Sequence, residues 1–239
     1  MDDAADAELL DFLTQFLTAQ RLRRLEQALH RRTRHLVVVL EDLYNAHNAS
    51  ACLRSCEGFG LQEVHVIESR NAFQVSPKIA RGAADWLDLL RHRGGERGGR
   101  ACLESLRRRG YRLVAATPAP DATSLPQYDV RQKTALLFGN ERDGLSEPVM
   151  AQVDERLTIP MCGLSESFNI SVALAVCLYE LTHALRQSNV DWQLSEDDRM
   201  KLRAHWIGRA VGARRLPYLR ARFRAERGAA AVVECQERA

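Results

Sequence analysis

The sequence predicts an α/β protein built on a mostly parallel sheet. Three observations point there. Leu36-Val37-Val38-Val39-Leu40 is an unbroken apolar run rich in β-branched residues, the pattern of a strand buried on both faces. Further short apolar runs follow at 64–67, 113–116, 135–138 and 157–159. Stretches of helical periodicity lie between several of them, and that alternation is how parallel sheets are written in sequence.

Along the chain, residues 9–33 read as helical, with Leu9, Leu10, Leu13, Phe16, Leu17, Leu22, Leu25 and Leu29 recurring mostly at three and four, and with a break near Ala19-Gln20. The strand at 36–40 is followed by a helix over 49–56. Gly58-Phe59-Gly60 stops that helix ahead of the strand at 64–67. Trp86-Leu87-Asp88-Leu89-Leu90 is a further strand candidate. Gly94-Gly95-Glu96-Arg97-Gly98-Gly99 is a flexible loop by composition, leading to a helix over about 100–109. The clearest helix spans 169–186, where Ile170, Ala173, Leu174, Cys177, Leu178 and Leu181 form one apolar stripe.

Size and composition exclude several classes. At 239 residues, 46% hydrophobic and 27% charged, the chain is neither disordered, collagen-like nor a coiled coil. No apolar stretch is long enough for a membrane helix, and Met1-Asp2-Asp3-Ala4-Ala5-Asp6 is acidic where a signal peptide is basic, so a cytoplasmic protein is expected. The six cysteines are scattered without a C-x-x-C pair. Cys52 and Cys56 share a helix face near His47. Their spacing is not that of a zinc knuckle, so they read as small core residues and no metal is expected.

The net charge of +3 hides segregation. Residues 1–20 hold Asp2, Asp3, Asp6, Glu8 and Asp11 with no basic residue. Residues 21–34 hold Arg21, Arg23, Arg24, Arg31, Arg32 and Arg34 against Glu26 alone. From 199 to 227 ten basic residues, Arg214, Arg215 and Arg220 among them, face the single acid Glu226. Such blocks suit a phosphate backbone, or equally a solvated helix face. Only three of the 34 basic residues are lysines. That bias fits either a GC-rich genome or the planar fork arginine offers to phosphates.

Three segments sit where ligands collect in open α/β sheets, beyond the C-terminal ends of strands. Asn48-Ala49-Ser50-Ala51-Cys52-Leu53-Arg54 places a natural N-cap, Asn48, six residues before an arginine in an otherwise small, apolar helix. Phe138-Gly139-Asn140-Glu141-Arg142-Asp143-Gly144-Leu145 has glycines that permit tight turns and close ligand approach. The third runs from Ile159 through Met161, Ser167, Phe168 and Asn169 into the long helix; Ser167 and Asn169 suit both capping and pocket lining. Neither a Walker loop nor a G-x-G-x-x-G fingerprint is present.

Together these segments resemble, in order and spacing, the three motifs of the TrmH family of SPOUT-class RNA 2′-O-ribose methyltransferases: N-x-S-A-x-x-R, F-G-x-E-x-x-G-[LI] and I-P-M-x-G-x-x-x-S-L-N-V-S-V-A. Phe168 and Ile170 stand for the leucine and valine of the last. The likeness spans roughly 20–225 and looks most like members that methylate guanosine-18 in the D-loop of tRNA. The resemblance implies a SPOUT-type sheet with a C-terminal deep trefoil knot between helical extensions: 1–34, basic from 21, a methyltransferase domain at 35–187, and a basic 188–239. It implies S-adenosylmethionine held by Thr117, Gly139, Ile159, Met161 and Phe168, and a catalytic set of Arg54, Asn48, Glu141, Ser167 and Asn169. It implies tRNA bound by Arg21, Arg23, Arg24, Arg31, Arg32, Arg214, Arg215 and Arg220, and a homodimer formed through the knot and helix 169–186. Two readings remain beside it: 2′-O-methylation of rRNA or of another tRNA nucleotide, and a non-catalytic RNA-binding protein.

Overall fold

A computed structural model describes the backbone of residues 3–237 and the side chains of 7–227; Asp2, Asp3, Asp6 and Cys235 lie outside the described side chains. The elements run α1 (Asp3–Thr14), α2 (Ala19–Leu29), β1 (Leu36–Glu41), α3 (Ala46–Phe59), β2 (Glu63–Glu68), α4 (Pro77–Ala80), β3 (Asp88–Arg93), α5 (Glu96–Arg108), β4 (Arg112–Ala116), β5 (Thr123–Ser124), β6 (Thr134–Phe138), α6 (Glu147–Met150), β7 (Glu155–Thr158), α7 (Ile170–Gln187), α8 (Glu196–Val211) and α9 (Leu216–Glu237). They fall into two compact units, residues 32–193 and residues 1–31 with 194–239.

The first unit is the sheet. Its seven strands, in the order β3-β2-β1-β6-β4-β7-β5, pair in parallel throughout. β1 is central, and all six of its residues are buried. Val38 and Leu40 point into a core built with α3 and α7. Val37 and Val39 point into a second core, built with α5. The unbroken apolar run thus has its cause in helices on both faces. On α3, Ala49, Cys52, Leu53 and Cys56 meet Leu174, Cys177, Leu178 and Leu181 of α7, and burying each leucine there contributes roughly 1.5–3 kcal/mol. The cysteines are core residues, as their sizes suggest.

Three boundaries move. β3 lies two residues beyond its expected start because it is an edge strand whose residues are only partly buried, so its pattern is muted. β7 begins at Glu155, two residues early. α5 takes in the last four of the six residues of the glycine-rich loop. A Cβ at Gly98 would lie 2.3 Å from the carbonyl oxygen of Arg93, so glycine there serves the close approach of helix to strand rather than flexibility.

The second unit is helical. Thr18 caps α2, accepting from the Arg21 amide at 3.2 Å, and its turn separates α1 from α2 at the expected break. Leu13, Ile207, Val211 and Leu219 form its buried centre, with Phe12, Phe16 and Leu216 against them. Among the described residues no helix is long and apolar enough to cross a membrane.

Candidate active site

Because the strands are parallel, their carbonyl ends share one edge of the sheet, and a cleft of about 590 Å³ opens there beyond β4, β6 and β7. Ala116, Phe138, Leu157, Ile159 and Ile170 give it apolar walls. Thr117, Asn140, Glu141, Ser167 and Asn169 add polar groups. Every residue expected to hold the cofactor lines this one cleft: Thr117, Gly139, Ile159, Met161 and Phe168. Phe168 is 42% exposed, so its ring is a free wall rather than core.

The loop after β6 is held by its own backbone. The Asn140 amide donates to the Gly144 carbonyl at 3.0 Å and the Gly144 amide returns the bond at 3.1 Å. The Asn140 side chain accepts from the Arg142 and Asp143 amides at 2.9 and 2.8 Å. Gly144 has φ 71°, and a Cβ on Gly139 would lie 1.8 Å from the Gly144 carbonyl carbon, so only glycine fits at 139. The far end of the loop is anchored by Glu41, whose carboxylate accepts from the Ser146 amide at 2.8 Å and hydroxyl at 2.6 Å. Burial raises the Glu41 carboxyl above its ordinary value, although these two bonds oppose the shift.

Glu41 supports the cleft loop and its neighbour Asp42 the turn after β2, and sequence reading missed both. Asp42 holds φ 51° while one carboxylate oxygen accepts from the amides of Ser69, Arg70 and Asn71. The available signal was a pair of acids ending a fully buried strand, where a charge demands partners.

Three catalytic candidates from three segments meet at the cleft. Asn48 Nδ2 donates to Glu141 Oε1 at 2.8 Å, and Asn169 Nδ2 donates to Asn48 Oδ1 at 3.3 Å. Asn169 also caps α7, its Oδ1 accepting from the amide and hydroxyl of Ser171 at 2.9 and 2.7 Å. Capping and site geometry are therefore served by opposite ends of one amide. Ser167 lines the cleft and leaves the cap to Asn169.

One expectation about α3 is corrected. The N-cap is Asn45, which accepts from the His47 amide at 2.8 Å, so Asn48 sits inside the first turn with its side chain available to Glu141. Arg54 follows Asn48 by six residues, about a third of a turn out of phase. It is exposed and lines no part of the cleft, so the chain brings Glu141, Ser167, Asn48 and Asn169 together but leaves Arg54 outside.

The basic blocks also divide. Arg21, Arg23, Arg24, Arg31, Arg214, Arg215 and Arg220 are exposed. Arg32 is not: it is 2% exposed, donating to the Leu61 carbonyl at 2.6 Å and to Glu57 at 2.8 Å. A guanidinium so engaged has no face for a phosphate, and Arg32 is removed from the RNA-contacting set.

Solved structures place this parallel α/β sheet with a polar strand-end cleft among RNA-modifying methyltransferases. The TrmH/SpoU tRNA modifying enzyme of A. aeolicus superposes with a TM-score of 0.70 at 26% identity, covering 79% of this chain and 95% of its own. The SpoU methyltransferase AviRb of Streptomyces viridochromogenes, in complex with the cofactor AdoMet, gives 0.57 at 26% identity over 66% and 60%. The chain belongs to the SpoU rRNA Methylase family, whose model matches residues 35–179. Among its relatives, the tRNA (guanosine(18)-2′-O)-methyltransferase of Borreliella burgdorferi is 35% identical over 88% of this chain and 94% of its own length. Its namesake in Thermus thermophilus is 36% identical over 68% and 82%.

Proposed function

We propose that the protein is an S-adenosylmethionine-dependent methyltransferase acting on the ribose 2′-hydroxyl of guanosine-18 in tRNA. The observation that carries this reading is the hydrogen-bonded chain Glu141–Asn48–Asn169 at a strand-end cleft, in a protein alignable almost end to end with a relative of that name. The cleft fits the cofactor. Its volume of about 590 Å³ lies within the range of small-molecule sites, its apolar walls suit a flat base, and Gly144, with open space where a Cβ would stand, leaves backbone open for close approach. When bound, S-adenosylmethionine supplies an already activated methyl group. Thr117, Gly139, Ile159, Met161 and Phe168 would hold it.

The chain's own residues then have to align the ribose oxygen and ease loss of its proton. Arginine holds its own proton too tightly to serve as a ready base. Arg54 therefore orients the ribose and stabilises charge developing on its oxygen, with an RNA phosphate assisting proton transfer. Asn48, held between Glu141 and Asn169, positions the ribose, and Ser167 shapes the wall. Since Arg54 lies outside its own cleft, this reading requires bound RNA or a second copy to complete the site. Exposed Val172, Val176 and Tyr179 on α7 support a homodimer formed there. The cleft-forming segments around Gly139 and from Ile159 to Phe168 are the parts of the deep trefoil knot in this reading. Residues 1–34 and 188–239 serve as tRNA-gripping extensions around a methyltransferase domain at 35–187, in a cytoplasmic enzyme.

Tritium transfer from labelled S-adenosylmethionine to unmodified tRNA and rRNA transcripts, followed by mapping of the 2′-O-methyl group, tests the proposal. Label at guanosine-18 is the expected result. Label on rRNA or at another tRNA nucleotide would move the substrate, and no transfer to any RNA would leave a non-catalytic RNA-binding protein.

A further inference from the structure

The α5 face of the sheet carries a side-chain cluster that methyl transfer does not use. His65 lies on β2, His92 on the edge strand β3 and Cys102 on α5. The parallel register pairs His65 with Leu90 and Ile67 with His92, so the two imidazoles rise on one face as diagonal neighbours. Their rings stack at 5.2 Å between centroids and 13° between planes. His65 Nδ1 lies 2.9 Å from His92 Nε2 and 3.7 Å from Cys102 Sγ, and the three donor atoms all fall within 4.8 Å of one another. Gly98 and Gly99 bring the cysteine there. They precede it by one turn on the same helix face, and a Cβ on Gly99 would stand 3.3 Å from Ile67 Cγ2.

We propose that His65, His92 and Cys102 bind one borderline-soft divalent metal ion of the zinc class. The donor set of two imidazoles and a thiol is the set such ions select, and it excludes magnesium and calcium, which seek oxygen. The spacing is close to that needed. Bond lengths of about 2.05 Å to nitrogen and 2.3 Å to sulfur in a tetrahedron put donor atoms about 3.3 to 3.6 Å apart. The observed 2.9 and 3.7 Å bracket that range, and the third pair, His92 with Cys102, lies within 4.8 Å, so the rings part by a few tenths of an ångström as the third pair draws in.

The outer shell is in place. His65 Nε2 lies 2.6 Å from Glu63 Oε1, the carboxylate–imidazole arrangement that puts the proton on Nε2 and aims the Nδ1 lone pair at the cluster. Glu63 is itself fixed by Arg34 and Arg109 at 2.6 and 2.5 Å. His65 and Cys102 are buried. His92 is half-buried at the sheet edge, which offers a route in and a fourth position for water. Burial pushes the Cys102 thiol up to about 12, so the ion has to displace its proton. This site lies by β2 and β3, away from the strand ends that form the cleft, and does not rest on the proposed reaction.

The test uses the full chain carrying Cys162→Ser, which removes an exposed thiol. Chelator-stripped protein is titrated with Co²⁺ and then Zn²⁺. The expected result is one equivalent bound, a thiolate-to-cobalt charge-transfer band that Zn²⁺ abolishes, and a rise in Tm on adding Zn²⁺. Cys102→Ser should lose the band. His92→Gln, at the half-exposed edge, should fold normally and weaken binding by at least about tenfold. Absence of saturable binding would overturn the proposal, as would either variant binding like the parent.

Discussion

The two units use arginine in opposite ways. In the sheet unit, several arginines are drawn into the fold: Arg32 is 2% exposed against Glu57, and Arg34 and Arg109 converge on Glu63, itself 3% exposed. In the helical unit, paired arginines stay part-exposed, whether along one helix, as Arg222 to Glu226, or between helices, as Arg203 to Glu26 and Arg227 to Glu8. Arg21, Arg23, Arg24, Arg31, Arg214 and Arg220 have no acidic partner within 4 Å among the described residues. A buried guanidinium must be paired because desolvation is costly, whereas an exposed one keeps its charge for a partner outside the chain. Counting arginines therefore says little about RNA binding; the availability of each guanidinium says more.

The sharpest test of that contrast is Arg54, an exposed arginine within the sheet unit. Arg54→Ala should lower methyl transfer about a thousandfold while S-adenosylmethionine binding is unchanged. Single-turnover rates and a cofactor titration would separate the two, and an unaltered rate would reject the catalytic role. Next in size, Arg32→Ala should cost about 2 kcal/mol by urea denaturation, since the Leu61 carbonyl and Glu57 lose their partner. Arg131→Ala, which removes an exposed pair with Asp129, should leave Tm unchanged. Equal effects at the two positions would erase the distinction between the classes. Smallest, Arg21, Arg23 and Arg24 changed together to alanine should weaken tRNA binding roughly tenfold and flatten its salt dependence by about two to three charges, with helicity retained. Affinity unchanged across a salt titration would remove α2 from the RNA footprint.

What could be read in the sequence follows the same physics. β1 and β6 were legible because strands covered on both faces are written as unbroken apolar runs. β3 was blurred because its edge position leaves polar residues such as Arg91 and Arg93 exposed. The motif residues around the cleft were legible through resemblance to a family, not through periodicity. Arg32 was misjudged because a basic block has no depth in one dimension. Its neighbour Arg31 is exposed while Arg32 meets Leu61, twenty-nine residues away. Asn45 and Asn48 were confused because either side chain suits an N-cap, and only the backbone turn decides which one is free. The His65, His92 and Cys102 cluster was invisible for a related reason. It depends on register across two strands and on a helix lowered by two glycines.

Position 139 has one more consequence. A side chain there would occupy the backbone of Gly144, so this wall of the cleft is closed to variation. Evolution can retune the target of such a protein in its helices, in the ring at 168 or in the basic surfaces, but not along this stretch of main chain. The tightest backbone approach in the cleft wall is thus made at a residue that contributes no side chain at all.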